Sequence, residues 1–350
     1  MEFLSKDIPG SGGVLYPDVD DFIVNEEIAY APSGEGEHLF IQIEKTKLTT
    51  AEVSASLSEA LDVKPKAVSF AGFKDKHART RQWFSVHYPI KLGLPNLLEL
   101  DSENCRVLDM ERHRAKLKRS HGKGNRFVIT VREVPAGGVE NARASLERLR
   151  EVGVPNIFGA QRFGKYGDNV ERGLQMIRKQ IKPPGNHRIR SILQSAVQSE
   201  IFNRIFNLRL EQGVFFTALA GDIMKKHDTG GLFDVTDPAI EQERIDRLEI
   251  SPTAPLPGRE TRYAKSRAYE FEQQAISELG VTEQDLSRME VGTRRSLRFP
   301  LDPTAKIHEL DEDSYALEIS LPSGAYATVV LAELIKPESG VVKRKFDESD

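Results

Sequence analysis

The chain has 350 residues, 39% hydrophobic and 29% charged, proportions that support a real core and exclude disorder as the main state. That length predicts about two domains. A single cysteine, Cys105, excludes an internal disulfide and a cysteine-based zinc site, and the net charge of −4 gives no overall attraction to polyanions.

In chain order, the opening residues Met1 to Pro9 show no basic stretch ahead of an apolar core, so no secretion signal is expected and a cytoplasmic location is the default. Gly10 to Gly13 reads as a turn, and Phe22-Ile-Val opens a strand. Pro32 to Glu37 reads as a hairpin-like loop ahead of an alternating strand from His38. Thr49 and Glu52 form a capping box, and Val53, Leu57 and Leu61 recur every four residues, which predicts an amphipathic helix over Thr50 to Leu61. Ala67 to Ala71 is strand-like, Gly72 to Ala78 is a charged loop, and Thr80 to His87 is a second strand. Arg114 to Lys118 and Arg126 to Arg132 alternate as half-exposed strands, and Asn141 to Val152 is a helix closed by Gly153.

From about Pro155 the texture changes. Ile189, Leu193, Val197, Ile201 and Ile205 mark a long helix stopped by Gly213, and Arg267 to Leu279 a second one stopped by Gly280. Pro183-Pro-Gly and Pro252 to Gly258 read as joints. After Pro300, strands are expected at Tyr315 to Leu321 and Tyr326 to Leu331, with Thr328 in a core strand. The last residues, Lys343 to Asp350, read as a charged disordered tail. The apolar run around Thr328 to Ala332 is far short of the ~18 residues of a membrane span, so no membrane partner is expected.

Charge is segregated along the chain. Asp62 to Arg132 holds 16 Lys/Arg against 7 Asp/Glu, and Arg106 to Arg132 alone holds nine basic residues and two acids. Such an island in an otherwise acidic chain is the footprint of a polyanion ligand, with a solvated strand face as the plain alternative. Two basic clusters interleaved with aromatics favour nucleic acid. Lys116 and Lys118 within the island are candidates for phosphate contact.

Several chemistries lack their motifs. No P-loop, GxGxxG, HExxH or GxSxG is present, and the eight histidines show no helical metal-ligand spacing, so no metal is expected.

The informative segment runs from Val68 to Val86. Asp75 sits between Lys74 and Lys76, with His77, Arg79 and Arg81 close behind, and Gly72 allows a tight backbone turn after a buried strand. A lone carboxylate ringed by cations that favour its ionised form suits covalent or general-base chemistry on a nucleotide. Lys76 and Arg81 are candidates to touch phosphate. A turn aspartate with surface ion pairs is the other reading.

This segment resembles the catalytic motif of the TruD family of tRNA pseudouridine synthases, whose aspartate nucleophile corresponds to Asp75. Asp21-Phe-Ile-Val with Glu26 is similar to the family's N-terminal signature, Gly124-Asn-Arg-Phe to its Gly-Asn-x-Phe strand, and Val154 to Gly164 to its most recognisable segment. Gly221-Asp222, Leu256-Pro-Gly, Arg294-Arg295 and Leu321 to Val330 match further, in order, over almost the whole chain. The chain departs at Ile157 and Asn25, neither of which touches the nucleophile position.

The resemblance implies an α+β fold: a pseudouridine synthase core with a mixed, largely antiparallel sheet, interrupted by a mainly helical α+β insertion. The core is expected at 1–155 and 301–350 and the insertion at 156–300. The implied activity is isomerisation of uridine in tRNA, typically at position 13, without cofactor or metal and with no obligate protein partner. Phe127 becomes a candidate wall for the uracil and Asn125 a hydrogen-bonding group near Asp75 or the base; as plain strand residues they would be core and turn. Arg162 and Phe163 are expected to structure the entry to the insertion. A pseudouridine synthase acting on another RNA, or an RNA-binding or chaperone protein, are the alternatives.

Overall fold

The computed structural model describes residues 2–164, 166–342, 344 and 345. The first stretch of chain forms β1 (Phe22–Ile28), β2 (His38–Lys45), α1 (Thr50–Ala60), β3 (Val68–Phe70), β4 (Arg79–His87), β5 (Cys105–His113) and β6 (Gly122–Val131). There follow α2 (Gly138–Val152), β7 (Val154–Pro155), α3 (Asn169–Ile177), α4 (His187–Glu211), β8 (Ile223–Lys226), β9 (Leu232–Asp234) and α5 (Pro238–Asp246). The chain continues through β10 (Ile250–Leu256), α6 (Ser266–Glu278), α7 (Glu283–Leu286), β11 (Thr293–Ser296) and β12 (Arg298–Phe299). It ends on β13 (Lys306–Asp311), β14 (Ser314–Pro322) and α8 (Ala327–Ile335). The fold is α+β. It divides into two compact units, one of residues 11–140, 304–324 and the chain end from 343, the other of residues 1–10, 141–303 and 325–342.

The first unit is built on an eight-stranded sheet in the order β13-β14-β6-β1-β4-β2-β5, with β3 also on β4. Every pairing is antiparallel except that of β1 with β4. Alternation in β2 sends Leu39, Ile41 and Ile43 under Val53 and Leu57 of α1 and Leu61 just past its end, while Phe40 packs on the other face with Trp83 and Leu117. Fully burying one such aliphatic side chain is worth about 1.5–3 kcal/mol, so the α1 contact is the main support of this end of the sheet. The capping box at Thr49 and Glu52 forms as expected.

One irregularity positions the site. β2 pairs with β4 from Thr80 to His87, while along the opposite edge β1 pairs with 79–81 and β3 with 84–86. The backbone N–H of Trp83 therefore falls in a gap between β1 and β3. The buried carboxylate of Glu26 accepts it at 3.0 Å. The charged loop 71–78 leaves the sheet at this gap.

In the second unit α4 is the long central helix, with α3 packed so closely that a Cβ at Gly173 would come within 2.5 Å of the Leu193 carbonyl oxygen. A four-stranded sheet in the order β11-β10-β8-β9 and the pair β12-β7 accompany the helices. The ion pairs Arg209–Asp222, at 2.7 Å, and Arg294–Glu272, at 2.6 Å, are fully buried. Glu333 of α8 accepts the backbone N–H groups of Leu4 and Ser5, which ties down the N-terminal residues.

Several expectations from sequence are corrected. β1 and β2 do not form a hairpin, because β4 lies between them; period-two alternation tells which side chains face inward but not which strand is the neighbour. Arg114 to Lys118 is a loop. Its Leu117 drops into the core beside Phe40 and Trp83, and the Leu117 N–H goes to the Ser85 hydroxyl at 2.9 Å instead of to a strand. The proline-rich stretch from Pro252 lies largely in β10: its pairing passes from β8 to β11 after Pro252, so a proline can turn its missing donor to an open edge. Tyr326 to Leu331 is not a strand but the start of α8. Every residue of that helix except Thr328 is buried, which erases the apolar/polar period that would have marked it as helical. At the chain end, Arg344 bridges to Leu15 and Lys345 donates its N–H to the Leu15 carbonyl at 2.7 Å, so this part is ordered; Lys343 and Phe346 to Asp350 lie outside the described residues.

Candidate active site

The cross-strand register puts Phe22, Val24 and Glu26 of β1 on the same face as Ile129, Phe127 and Asn125 of β6. Thr80 of β4 and Lys45 of β2 share that face, since Val24 pairs with Thr80 and Thr80 with Lys45. Phe127 meets Phe22 edge-on, ring centroids 6.2 Å apart. Gly124 precedes Asn125 because β14 runs too close for a side chain: a Cβ there would lie 2.2 Å from the Leu321 carbonyl oxygen. The Gly-Asn-x-Phe pattern thus has a steric origin at its first position.

Loop 71–78 is fastened over this face at four points. Gln82 donates to the Gly72 carbonyl at 2.6 Å, and the Lys74 N–H donates to the Thr50 hydroxyl at 2.9 Å. The Lys74 ammonium pairs with Glu26 at 2.6 Å, both side chains almost fully buried. Lys45 donates to the Asp75 carbonyl at 2.9 Å and to the Leu48 carbonyl at 2.7 Å. Burial pushes the Lys45 ammonium down to about 8, with the charge of Asp75 acting in the opposite direction.

These anchors leave the Asp75 carboxylate half exposed, at 49% of its side-chain area. Its Oδ1 accepts the His77 N–H at 2.9 Å, and its Oδ2 lies 3.3 Å from an Arg344 guanidinium nitrogen. Two acceptors on the same sheet face, Asn125 Oδ1 and Thr80 Oγ1, are buried without a protein partner. Orphaned buried acceptors are rare in folded proteins and mark places where a ligand donor can bind. The arrangement is therefore a rigid backbone cradle presenting one oriented carboxylate, an aromatic edge and unanswered polar oxygens.

Of the residues singled out in the sequence, the sheet brings Asn125 and Phe127 to the face that loop 71–78 is anchored on. Lys76 is exposed beside Asp75. Arg81 is not brought to this face: strand alternation turns it to the opposite side, where its Nε donates to Glu44 at 2.8 Å. Lys116 and Lys118 are exposed on either side of the buried Leu117. In the second unit, Arg162 donates to the Tyr326 hydroxyl at 3.1 Å and stacks over Phe158.

Sequence reasoning missed Lys45, the Lys74–Glu26 pair and Arg344. Lys45 carried a signal, a lysine on the inward register of an apolar strand with Ile41 and Ile43. Arg344 carried none. Among the described residues no three His, Cys, Asp or Glu side chains gather as a metal site requires, and no helix is long and apolar enough to cross a membrane.

The chain is similar to known proteins along most of its length. The crystal structure of the candidate tRNA pseudouridine synthase D (TruD) from Methanosarcina mazei superposes with a TM-score of 0.72 at 25% identity, covering 96% of each chain. A tRNA pseudouridine synthase D of Thermus thermophilus is 42% identical over 337 residues, covering 96% of this chain and 92% of that protein. The protein of the same name from an Anaeromyxobacter species is 39% identical over 341 residues, 95% of each. The family model for tRNA pseudouridine synthase D matches residues 1–183 and 186–334. With the family model matched over most of the chain and a 42% identical relative covered almost end to end, the chain belongs to the TruD family of tRNA pseudouridine synthases.

Proposed function

We propose that this protein isomerises uridine to pseudouridine at position 13 of tRNA, in the cytoplasm, with Asp75 as the nucleophile. The observation that carries the reading is the Asp75 carboxylate itself, half exposed and held at both oxygens while the backbone beneath it is fixed. The reaction breaks the N1–C1′ bond, turns the uracil, and joins C5 to C1′; the proton lost from C5 balances the one gained at N1, so no oxidant or group donor is consumed. Attack at C1′, addition to C6 and removal of a sugar proton all need one placed carboxylate. The base must leave its stack to reach it, and holding a detached uracil favours an aromatic wall over a wet cleft. Phe127 fits that wall, and Asn125 Oδ1 fits an acceptor for a uracil N–H.

The catalytic core is read as residues 1–155 and 301–350, with 156–300 inserted. In support, β13 and β14 complete the sheet begun at β1. The compact units are cut elsewhere, at 10/11, 140/141, 303/304, 324/325 and 342/343, so that residues 1–10, most of α2 and all of α8 group with the helical part.

The test is Asp75→Asn, which keeps size and shape but removes charge and nucleophilicity. Many phosphate contacts dominate tRNA affinity, so binding should remain equal or become slightly tighter. Pseudouridine at position 13, measured by mass spectrometry with purified protein and tRNA transcript, should fall below detection. Substantial product from the folded variant would reject Asp75 as nucleophile, and product at another position would reassign the target uridine.

A further inference from the structure

Arg344 lies beyond the region matched by the family model, which ends at residue 334, yet it touches the reactive carboxylate. We propose that Arg344 is a positioning residue for Asp75: its guanidinium holds the carboxylate aimed at the substrate, which makes this one residue near the chain end part of the active site. The inference rests on the reading of Asp75 as nucleophile.

Four contacts define its place. One guanidinium nitrogen is 3.3 Å from Asp75 Oδ2, and another donates to the His77 carbonyl at 2.6 Å. The guanidinium lies over the Phe22 ring, 4.1 Å from its centroid, and that ring meets the edge of Phe127. Arg344 is thus the link between the nucleophile loop and the aromatic pair on the sheet. Its backbone is clamped, with a parallel bridge to Leu15, while the neighbouring Lys345 binds the Leu15 carbonyl and, at 2.9 Å, Glu133.

The chemistry follows from the division of the carboxylate. Oδ1 is fixed by the His77 N–H, a bond within the loop. Without a partner for Oδ2 the carboxylate could rotate about that single bond. Arg344 supplies the second point and keeps its charge at any working pH. Its side chain is only 13% exposed against 49% for Asp75, so the cation acts from the protein side and leaves the solvent side of the carboxylate to the substrate. Burial lowers the affinity of Arg344 for its proton, with the charge of Asp75 acting in the opposite direction. Of the neighbouring lysines, Lys74 is answered by Glu26 and Lys45 by two carbonyls, so neither duplicates this contact.

The experiment compares Arg344→Gln, Arg344→Lys, Lys345→Ala and Asp75→Asn in the full chain, with steady-state kinetics on tRNA and thermal melting. Arg344→Gln is expected to lower kcat about 10- to 100-fold while KM for tRNA changes by no more than about twofold, the pattern of a misplaced reacting group. Arg344→Lys restores charge without the fork or the ring contact, and its kcat should fall between the two. Lys345→Ala loosens the same segment without touching the carboxylate and should keep kcat within about twofold of the parent, as a surface contact allows. Parent-like kcat in Arg344→Gln, a loss confined to KM, no recovery with lysine, or an equal loss in Lys345→Ala would each overturn the proposal. Activity in Asp75→Asn would instead remove the nucleophile reading beneath it; an inactive Asp75→Asn beside a parent-like Arg344→Gln would reject the role of Arg344 alone.

Discussion

Lys45 closes β2 on a register where its neighbours Ile41 and Ile43 are fully buried. A lysine in that place is destabilising unless its ammonium is answered, and here two carbonyls answer it, one of them that of Asp75. Its proton affinity is lowered by burial from 10.5 to about 8. Between those values the unfolded chain holds a proton that the folded chain has released, so stability rises with pH across the window and the penalty is constant below it. Urea unfolding from pH 7.5 to 10.5 should show this rise in the parent and its loss in Lys45→Met; the same slope in both would exclude Lys45 as its source. The variant also frees the Asp75 backbone, and kcat should drop about tenfold, since small misplacements of a reacting group cost that much or more. At this scale the resemblance singled out Asp75, Asn125 and Phe127, while Lys45 was missed although strand parity marked it. Arg81 follows Asp75 closely in sequence, but alternation puts residues 80 and 81 on opposite faces, so it lies on the side of the sheet away from Thr80.

At the scale of elements, β6 carries Asn125 and Phe127 between β1 and β14, and its spacing to β14 depends on Gly124. In Gly124→Ala the new methyl meets the Leu321 backbone, which cannot move aside as a side chain would. Overpacking of this kind costs about 1–3 kcal/mol, so the melting temperature should fall by several degrees and activity should fall with it as Asn125 shifts. An unchanged melting curve with full activity would show that the strands can separate at no cost. Most strands and long helices were legible because half-buried elements alternate. α8 and β10 were not: one is buried on all sides, and the other hides its prolines at open edges.

For the whole molecule, the chain carries a basic island within an acidic remainder, and Lys116 and Lys118 of that island are exposed on a loop pinned by Leu117. Replacing both with alanine should weaken tRNA binding and reduce the slope of log affinity against log salt by roughly 0.7 to 0.9 per lost phosphate contact. A slope equal to the parent's would show that this loop does not meet RNA. The double variant leaves the Asp75 loop untouched, so kcat at saturating tRNA should stay within about twofold of the parent.

Local patterning alone determined the α1 capping box, the inward faces of the strands, the segregation of charge and the single carboxylate in its cationic loop, because each depends on residues a few positions apart. Only the tertiary structure decided that β4 separates β1 from β2, that Glu26 fills the gap this leaves, and that Arg344 returns to Asp75. Those outcomes join residues 57 and 269 positions apart, respectively for Glu26 with Trp83 and Asp75 with Arg344. Pairings over such distances depend on which strand edges and buried charges remain unanswered once the sheet has formed, and no local period encodes that.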